Sequence, residues 1–453
     1  MATAEFRYVT TQLYAPVVTV TGAISNGIIT TYTANNTFTA GQTVTITGVS
    51  PSAFNVTGTI TSRSSTWFAI DVPVTGSYVS GGQASGNNPI LAELPFTNVN
   101  FTSQLNSVGT FQGHVLLSGL NSDQLNAYQG TIPGRTILWV LYTDPVTYTT
   151  VPVWSGVIWA REYDSASQSL SISAQEMMSL YNRRRISTTK DYSATNYDPA
   201  YIAQQLMEYA EDLPYGNTSL SFSVGSTAYV TKKIYYGYEL KSVGQAVKDL
   251  SANYFDFRIK PMLLNGNLVN VFSLAQTLGV TYSTTNPLAT VLQFPGNLVS
   301  YKFPEDASSA ANRLYGLGYG ANNSKIIAIA IDSAKYADGF GLLEDTANYT
   351  DVGDTQLLKD LTLGQLNATS YPPTTVEVVL PPYVDPYFPQ YSVGDQVRLM
   401  IKDDYFPSGI DTTGTTGQLK PFRIMAITVN PGENGPSRIT LTLTRDLASG
   451  TVL

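Results

Sequence analysis

Two stretches of this chain, about 260 residues apart, alternate apolar and polar side chains in the same three-part pattern. The first runs Ile137-Leu-Trp-Val-Leu-Tyr-Thr, then Val153-Trp-Ser-Gly-Val-Ile-Trp-Ala-Arg-Glu-Tyr, then Ser169-Leu-Ser-Ile-Ser-Ala-Gln. The second runs Gln396-Val-Arg-Leu-Met-Ile-Lys, then Phe422-Arg-Ile-Met-Ala-Ile-Thr-Val, then Arg438-Ile-Thr-Leu-Thr-Leu-Thr. In both, the second and third segments begin 16 positions apart, with a polar turn between them. Successive side chains of a strand point to opposite faces, so alternation with period two predicts half-buried strands. Each set therefore reads as a three-stranded meander with one wet face.

The rest of the pattern places these units. Phe6 to Leu13 reads as a short strand, and Ile90-Leu-Ala-Glu-Leu-Pro-Phe as its hairpin partner. Between them, residues 16–86 are rich in Thr, Gly, Val, Asn and Ser and nearly free of charge. Short apolar runs there, such as Thr43-Val-Thr-Ile-Thr and Trp67-Phe-Ala-Ile, are punctuated by Gly, Asn and Pro. That spacing predicts a small β-sandwich, inserted at a hairpin tip where insertion is best tolerated. Val99-Asn-Phe-Thr and Thr110-Phe-Gln-Gly-His-Val-Leu-Leu resume the host domain, a polar link runs from Asn121 to Pro133, and Glu176 to Arg184 has helical character.

Asp198-Pro199 predicts a helix start, because Asp caps free N–H groups and Pro suits the first turn. Ile202, Leu206, Tyr209 and Leu213 would share that helix's apolar face, and Val243, Ala246, Val247 and Leu250 mark a second helix from about Lys241 to Asn253. Two strand-like runs then flank Asn265-Gly266, a hairpin dipeptide. Further on, Leu314 to Gly320 and Ile326 to Ile331 are strand-like, and Gln356 to Thr369 reads as a helix with Leu358, Leu361 and Leu366 apolar. Pro372-Pro373 would stop it before the chain returns to strands at Val376. The expected fold is mainly β with an α+β part. Residues 1–15 with 87–185 form a first β domain, 16–86 an inserted sandwich, 186–300 a small α+β domain and 301–453 a second β domain.

Composition narrows the functional classes. A chain of 453 residues is long for one core, and two to four domains is the prior expectation. Apolar residues make up 43%, which excludes wholesale disorder, while charged residues are only 13%. With a net charge of −8 and Arg183-Arg184-Arg185 as the longest basic run, the chain lacks the clustered cations of a dedicated nucleic-acid binder. There is no cysteine, hence no disulfide or thiolate metal site. No window reaches the ~18 apolar residues that span a bilayer, and the N-terminus has no charged leader followed by an apolar stretch. Neither membrane insertion nor secretion by a signal peptide is expected.

Catalytic signals are poor. His114 is the only histidine, which excludes HExxH sites and multi-histidine metal cages, and in a predicted strand it reads as structural. Glu208, Glu211-Asp212 and Asp403-Asp404 are carboxylates of the type a glycosidase pairs, but they read as solvated charges. Gly316-Leu-Gly-Tyr-Gly lacks the Gly-Lys-Ser/Thr ending of a phosphate loop. No enzyme activity, metal or cofactor is expected.

Candidate binding residues are aromatic and cationic. In the insert, Trp67, Phe54 and Tyr78 could form a sugar-stacking platform or serve as core aromatics. Tyr235-Tyr236 with Tyr238, Tyr315 with Tyr319, and Tyr383 with Tyr387 and Tyr391 suit interface anchoring, since Tyr carries large area at low entropic cost. Arg183, Arg184 and Arg185 fall at a predicted helix C-terminus, which favours cations, and are candidates for an inter-subunit clamp together with Tyr235 and Tyr236.

Several of these segments resemble siphophage minor tail proteins of the baseplate-hub type. They are Ile90-Leu-Ala-Glu-Leu-Pro-Phe with Phe101-Thr-Ser-Gln-Leu-Asn, Pro133-Gly-Arg-Thr-Ile-Leu-Trp-Val-Leu with Val153-Trp-Ser-Gly-Val-Ile-Trp, and Asp306 through Asn312-Arg-Leu with Gly318-Tyr-Gly. Val393-Gly-Asp-Gln-Val-Arg and the closing Gly435-Pro-Ser-Arg-Ile-Thr-Leu-Thr-Leu complete the set. The resemblance covers most of residues 1–15 and 87–453, and residues 39–86 are similar to Ig-like modules of phage structural proteins. It implies two tube-like domains of barrel or sandwich type per chain, and a homotrimer whose six such domains continue a sixfold tail tube towards a threefold tip. It also implies a virion protein of the tail tip, made in the host cytoplasm. Its partners would be a distal tail or tail tube protein, the tape-measure protein and other tail-tip or fibre proteins, with DNA passing through without specific binding. The alternative expectation is a receptor-binding tail protein whose inserted domain recognises host-surface carbohydrate.

Overall fold

The computed structural model describes residues 5–445 apart from 15–16, 37, 39, 87–89, 120–123, 145–146, 265, 284, 287–288, 338, 351, 370–374, 383, 413–420 and 433–436. The chain divides into two units, residues 1–278 with 428–437, and residues 279–427 with 438–453. The fold is mainly β with helices in both units, and every sheet is open rather than closed into a barrel among the described residues.

In the first unit six strands lead the fold: β1 (Glu5–Gln12), β2 (Phe96–Gln104), β3 (Thr110–Leu116), β4 (Thr136–Thr143), β5 (Thr150–Asp164) and β6 (Ser169–Glu176). Their order across the sheet is β1-β4-β5-β6-β3-β2, antiparallel throughout. The second unit, apart from residues 428–430 at the end of β11, has its own six: β7 (Thr290–Phe294), β8 (Ser300–Lys302), β9 (Thr375–Leu380), β10 (Gln396–Ile401), β11 (Phe422–Asn430) and β12 (Arg438–Arg445). Their order is β7-β10-β11-β12-β9-β8. Adding six to each label of the first set gives the second. The resemblance seen in the sequence as three strands is thus a six-strand topology used twice. One pairing differs: β1 runs antiparallel to β4, whereas β7 runs parallel to β10.

The two copies carry their additions at different places. In the first unit the chain leaves after β1 and returns through Ile90–Glu93, which pairs with β1 so that Val9 faces Glu93. An Arg7–Glu93 ion pair at 2.7 Å marks the same junction. Seven strands between Val17 and Gly86 form a sheet of their own. Strand Thr57–Arg63 serves both halves of it: its start pairs with Thr43–Ser50 and its end with Trp67–Ile70. A strand shared in this way bends the sheet around one core, in which Tyr32 stacks on Phe68 with centroids 5.5 Å apart and Phe38 meets Phe68 edge-on.

In the second unit the addition follows β8. Arg313–Leu317 lies between Ile327–Ile331 and Glu344–Asn348, and helix Thr355–Thr369 covers one face. Gly316 permits this packing, since a Cβ there would sit 1.9 Å from the Thr362 hydroxyl. The glycines of this run therefore serve close approach. The helix buries Leu358, Thr362 and Leu366, spaced four apart, and leaves Leu361 exposed at 37%. The apolar stripe read from the sequence is corrected at that position. Pro372-Pro373 lies outside the described residues.

The wet face expected of the first meander is also corrected. β4 is buried on both sides, from Thr136 to Val140 without a break. Leu138, Val140 and Tyr142 share one face, and Phe6 lies 5.1 Å from Tyr142 between ring centroids. Ile137 and Trp139 point the other way, into a core with Ile202, Leu206, Val243 and Val247 of helices Pro199–Asp212 and Val243–Tyr254. The α+β segment thus shares a core with the strands before it. β10 keeps the expected alternation. Both helices start where the sequence indicated: Asp198 accepts from the Ala200 N–H and Ser242 from the Gln245 N–H. The helix expected from Glu176 to Arg184 is only Met178–Tyr181, because Glu176 still pairs with Gly156 in the sheet. Strands Asp256–Leu264 and Asn267–Ala275 form the expected hairpin, with Gly266 at φ 80°, although Asn265 is outside the described residues.

Candidate functional site

Burial separates the three aromatic residues proposed for a sugar platform. Phe54 is fully buried, with its carbonyl accepting from the Tyr32 hydroxyl at 2.9 Å, so it has no free ring face and drops out of any platform. Tyr78 is partly buried, and its hydroxyl ties the carbonyls of Val20 and Gly81. Trp67 is 37% exposed and sits opposite Thr33 across the strand pair. Directly opposed residues of an antiparallel pair put their side chains on the same face, so Trp67 and Thr33 are neighbours on the outside of the sheet.

The Arg183–Arg185 run divides in the same way. Arg184 is turned inward, donating to the Glu211 carboxylate at 2.7 Å and to the carbonyls of Ala210 and Gly216. Its side chain is only 13% exposed, so its place as a surface contact residue is corrected. Arg183 lies over the Trp159 ring at 4.4 Å, and Arg185 is exposed beside a bridge to Ser242. Tyr235 is only 2% exposed and belongs to the core shared with β4, which likewise corrects its place as a contact residue. Burial drives its hydroxyl pKa well up. Tyr236 is 40% exposed and stacks on Tyr238 at 5.3 Å. The exposed residues that remain are Arg183, Arg185, Tyr236 and Tyr238. Sequence position alone could not separate Tyr235 from Tyr236; the first is the buried last residue of strand Thr231–Tyr235 and the second lies just past it.

The carboxylates are tied to structural tasks. Glu208 accepts from Gln204 and Gln205 on its own helix, and Glu211 holds Arg184, Tyr181 and Thr218. Asp403 accepts from the Tyr301 hydroxyl and from the N–H groups of Tyr405 and Phe406. The Tyr301 bond holds its carboxyl below the usual range. His114 is exposed on β3, 2.9 Å from the Ser171 hydroxyl. Among the described residues no three His, Asp or Glu side chains gather as a metal site, and no helix is long and apolar enough to cross a membrane. Tyr383 lies outside the described residues, while Tyr391 is buried against Phe388.

No family model matches the chain, and no curated protein sequence matches it. Solved structures do. A 43 kDa tail protein of prophage MuSo2 from Shewanella oneidensis matches over 79% of this chain and 95% of its own, with 11% identity and a TM-score of 0.52. A tail protein from Neisseria meningitidis MC58 matches over 79% and 94%, at 12% identity and a TM-score of 0.49. A prophage tail protein from Listeria monocytogenes EGD-e matches over 79% and 91%, at 14% and 0.45. At such identity the likeness is one of fold. Over most of its length this chain has the fold of the Shewanella prophage tail protein.

Proposed function

We propose that the chain is a non-enzymatic structural subunit of a phage tail, a homotrimeric tail-tip hub in the virion. The observation that carries this reading is the six-strand topology used twice, in the order β1-β4-β5-β6-β3-β2 and again six labels on. A trimer of such chains offers six similar sheets, which is what a threefold tip needs in order to continue a sixfold tube. The fold likeness to a prophage tail protein supports the same reading.

In this reading residues 1–15 with 87–185, and the segment from Gly279 onward, alternate around one ring. The charge-poor 16–86 segment is an added Ig-like module. Neighbours would be a tube or distal tail protein above, other tip or fibre proteins below, and the end of a tape-measure protein within. A wall with net charge −8 and few cations would let DNA pass without holding it. Light scattering of the purified protein should give three times the 49.0 kDa of one chain, or that stoichiometry on addition of its tail neighbours. A particle reconstruction should count three copies at the tip. Any other copy number in the assembled ring overturns the proposal.

A further inference from the structure

The inserted sheet carries a groove that the tail-tip reading does not use. It has a volume of about 410 Å³ and lies where the two ends of the sheet approach each other, between Val17–Thr19 and the end of Thr30–Thr33. Thr19, Thr21, Thr33, Asn35 and Thr66, all five exposed, line it together with the apolar pair Val17 and Val18. Backbone bonds fix its floor: the Thr21 N–H donates to the Thr33 carbonyl at 2.8 Å, and the Ala34 N–H to the Thr66 carbonyl at 3.0 Å. Gly22 keeps the wall close, since a Cβ there would stand 3.2 Å from the Thr33 hydroxyl. Trp67, 37% exposed, is not part of the lining but lies opposite Thr33 across the strand pair, on the same face.

We infer that this groove binds a neutral oligosaccharide. Hydroxyl and carboxamide groups both donate and accept, so a row of them exchanges hydrogen bonds with sugar hydroxyls whichever way these point. An exposed indole supplies a broad apolar surface with a polar edge, the partner that a pyranose face lacks in water. The lining contains no ionisable side chain, and Arg63 and Asp71 are the only charged residues between Val17 and Gly86. Nothing there offsets the desolvation of a phosphate, uronate or ammonium, so charged ligands are disfavoured. The backbone-tied floor limits the ordering that binding would otherwise require. This inference stands apart from the trimeric-hub reading and survives its failure.

The test uses the full chain and saturation-transfer NMR with cellohexaose, maltohexaose, chitohexaose and mannohexaose, and polygalacturonate as the charged control. At least one neutral hexasaccharide should bind. Trp67→Ala and Asn35→Ala should each weaken binding about tenfold. Asn35→Trp fills the groove from an exposed position, so its loss of binding does not depend on disturbed packing. Ile28→Ala, at an exposed position outside the lining, should bind as the parent does. Absence of binding across the neutral panel overturns the inference. So does binding that survives Asn35→Trp, or a preference for polygalacturonate.

Discussion

Arg184 and Glu211 meet at 2.7 Å with both side chains almost wholly withdrawn from solvent, at 13% and 12% exposure. The carboxylate also takes the Tyr181 hydroxyl at 2.8 Å and the Thr218 N–H at 2.8 Å, which closes the loop after helix Pro199–Asp212 onto the segment following β6. The Tyr181 hydroxyl is pushed well above its ordinary pKa by burial and by the neighbouring carboxylate. Removing one partner of a buried pair leaves a charge without compensation, at a cost of about 3 kcal/mol or more. Arg184→Ala and Glu211→Ala should each destabilise the first unit by that order in urea unfolding. Arg185→Ala, at the exposed neighbouring position, should change stability by less than about 0.5 kcal/mol.

Tyr235 and Tyr236 should respond in opposite ways. Tyr235→Ala empties a core site and should cost about 3 kcal/mol. Its hydroxyl finds no hydrogen-bond partner among the described residues, so Tyr235→Phe should leave stability unchanged or raise it by about 1 kcal/mol. Tyr236→Ala should leave the unfolding midpoint alone. If the exposed Tyr236–Tyr238 stack joins subunits, that variant should lower the trimer fraction in light scattering.

Asp198 does more than the sequence indicates. One carboxylate oxygen caps the helix at the Ala200 N–H and also accepts the Thr227 hydroxyl, while the other accepts the Thr227 N–H. The helix start is local chemistry and could be read from Asp198-Pro199. The tie to Thr227, 29 positions on, could not. Asp198→Ala should therefore exceed the ~1 kcal/mol of an ordinary cap, and Asp198→Asn should recover part of the loss in thermal unfolding.

This contrast runs through the molecule. The meander of β4, β5 and β6 and that of β10, β11 and β12 were legible because alternation is a local property of a strand. β2 and β3 could be read as strands, but not as the continuation of that meander past β6, since pairing at long range leaves no local mark. The parallel β7–β10 contact was hidden for the same reason. Two-sided burial of β4 was concealed because Ile137 and Trp139 are covered by helices more than 60 residues later. For the candidate sites, Trp67 was legible as an aromatic at a strand start. The groove was not, because Thr19, Thr33 and Thr66 meet only when the two ends of the inserted sheet are brought together.

Glu176 closes β6 facing Gly156, and its Oε2 accepts the Gly109 N–H at 2.6 Å. Gly109 has no substitute there, since a Cβ would fall 1.8 Å from the Thr102 carbonyl oxygen. Burial pushes the carboxyl up to about 7, against the opposing pull of the Gly109 N–H and of Arg258. A carboxyl pKa raised on folding means that the folded state holds its proton more tightly than the unfolded chain does. The unfolded chain releases it near its ordinary value, so stability is full below that point, falls as pH rises from about 4.5 towards 7, and levels off above. Glu176→Gln keeps an acceptor for Gly109 without the titration. Urea unfolding from pH 5 to pH 8 should show the parent losing stability over this window through this group, and the variant losing less, with the difference largest at pH 8. Equal pH dependence in both would mean that Glu176 is ionised throughout.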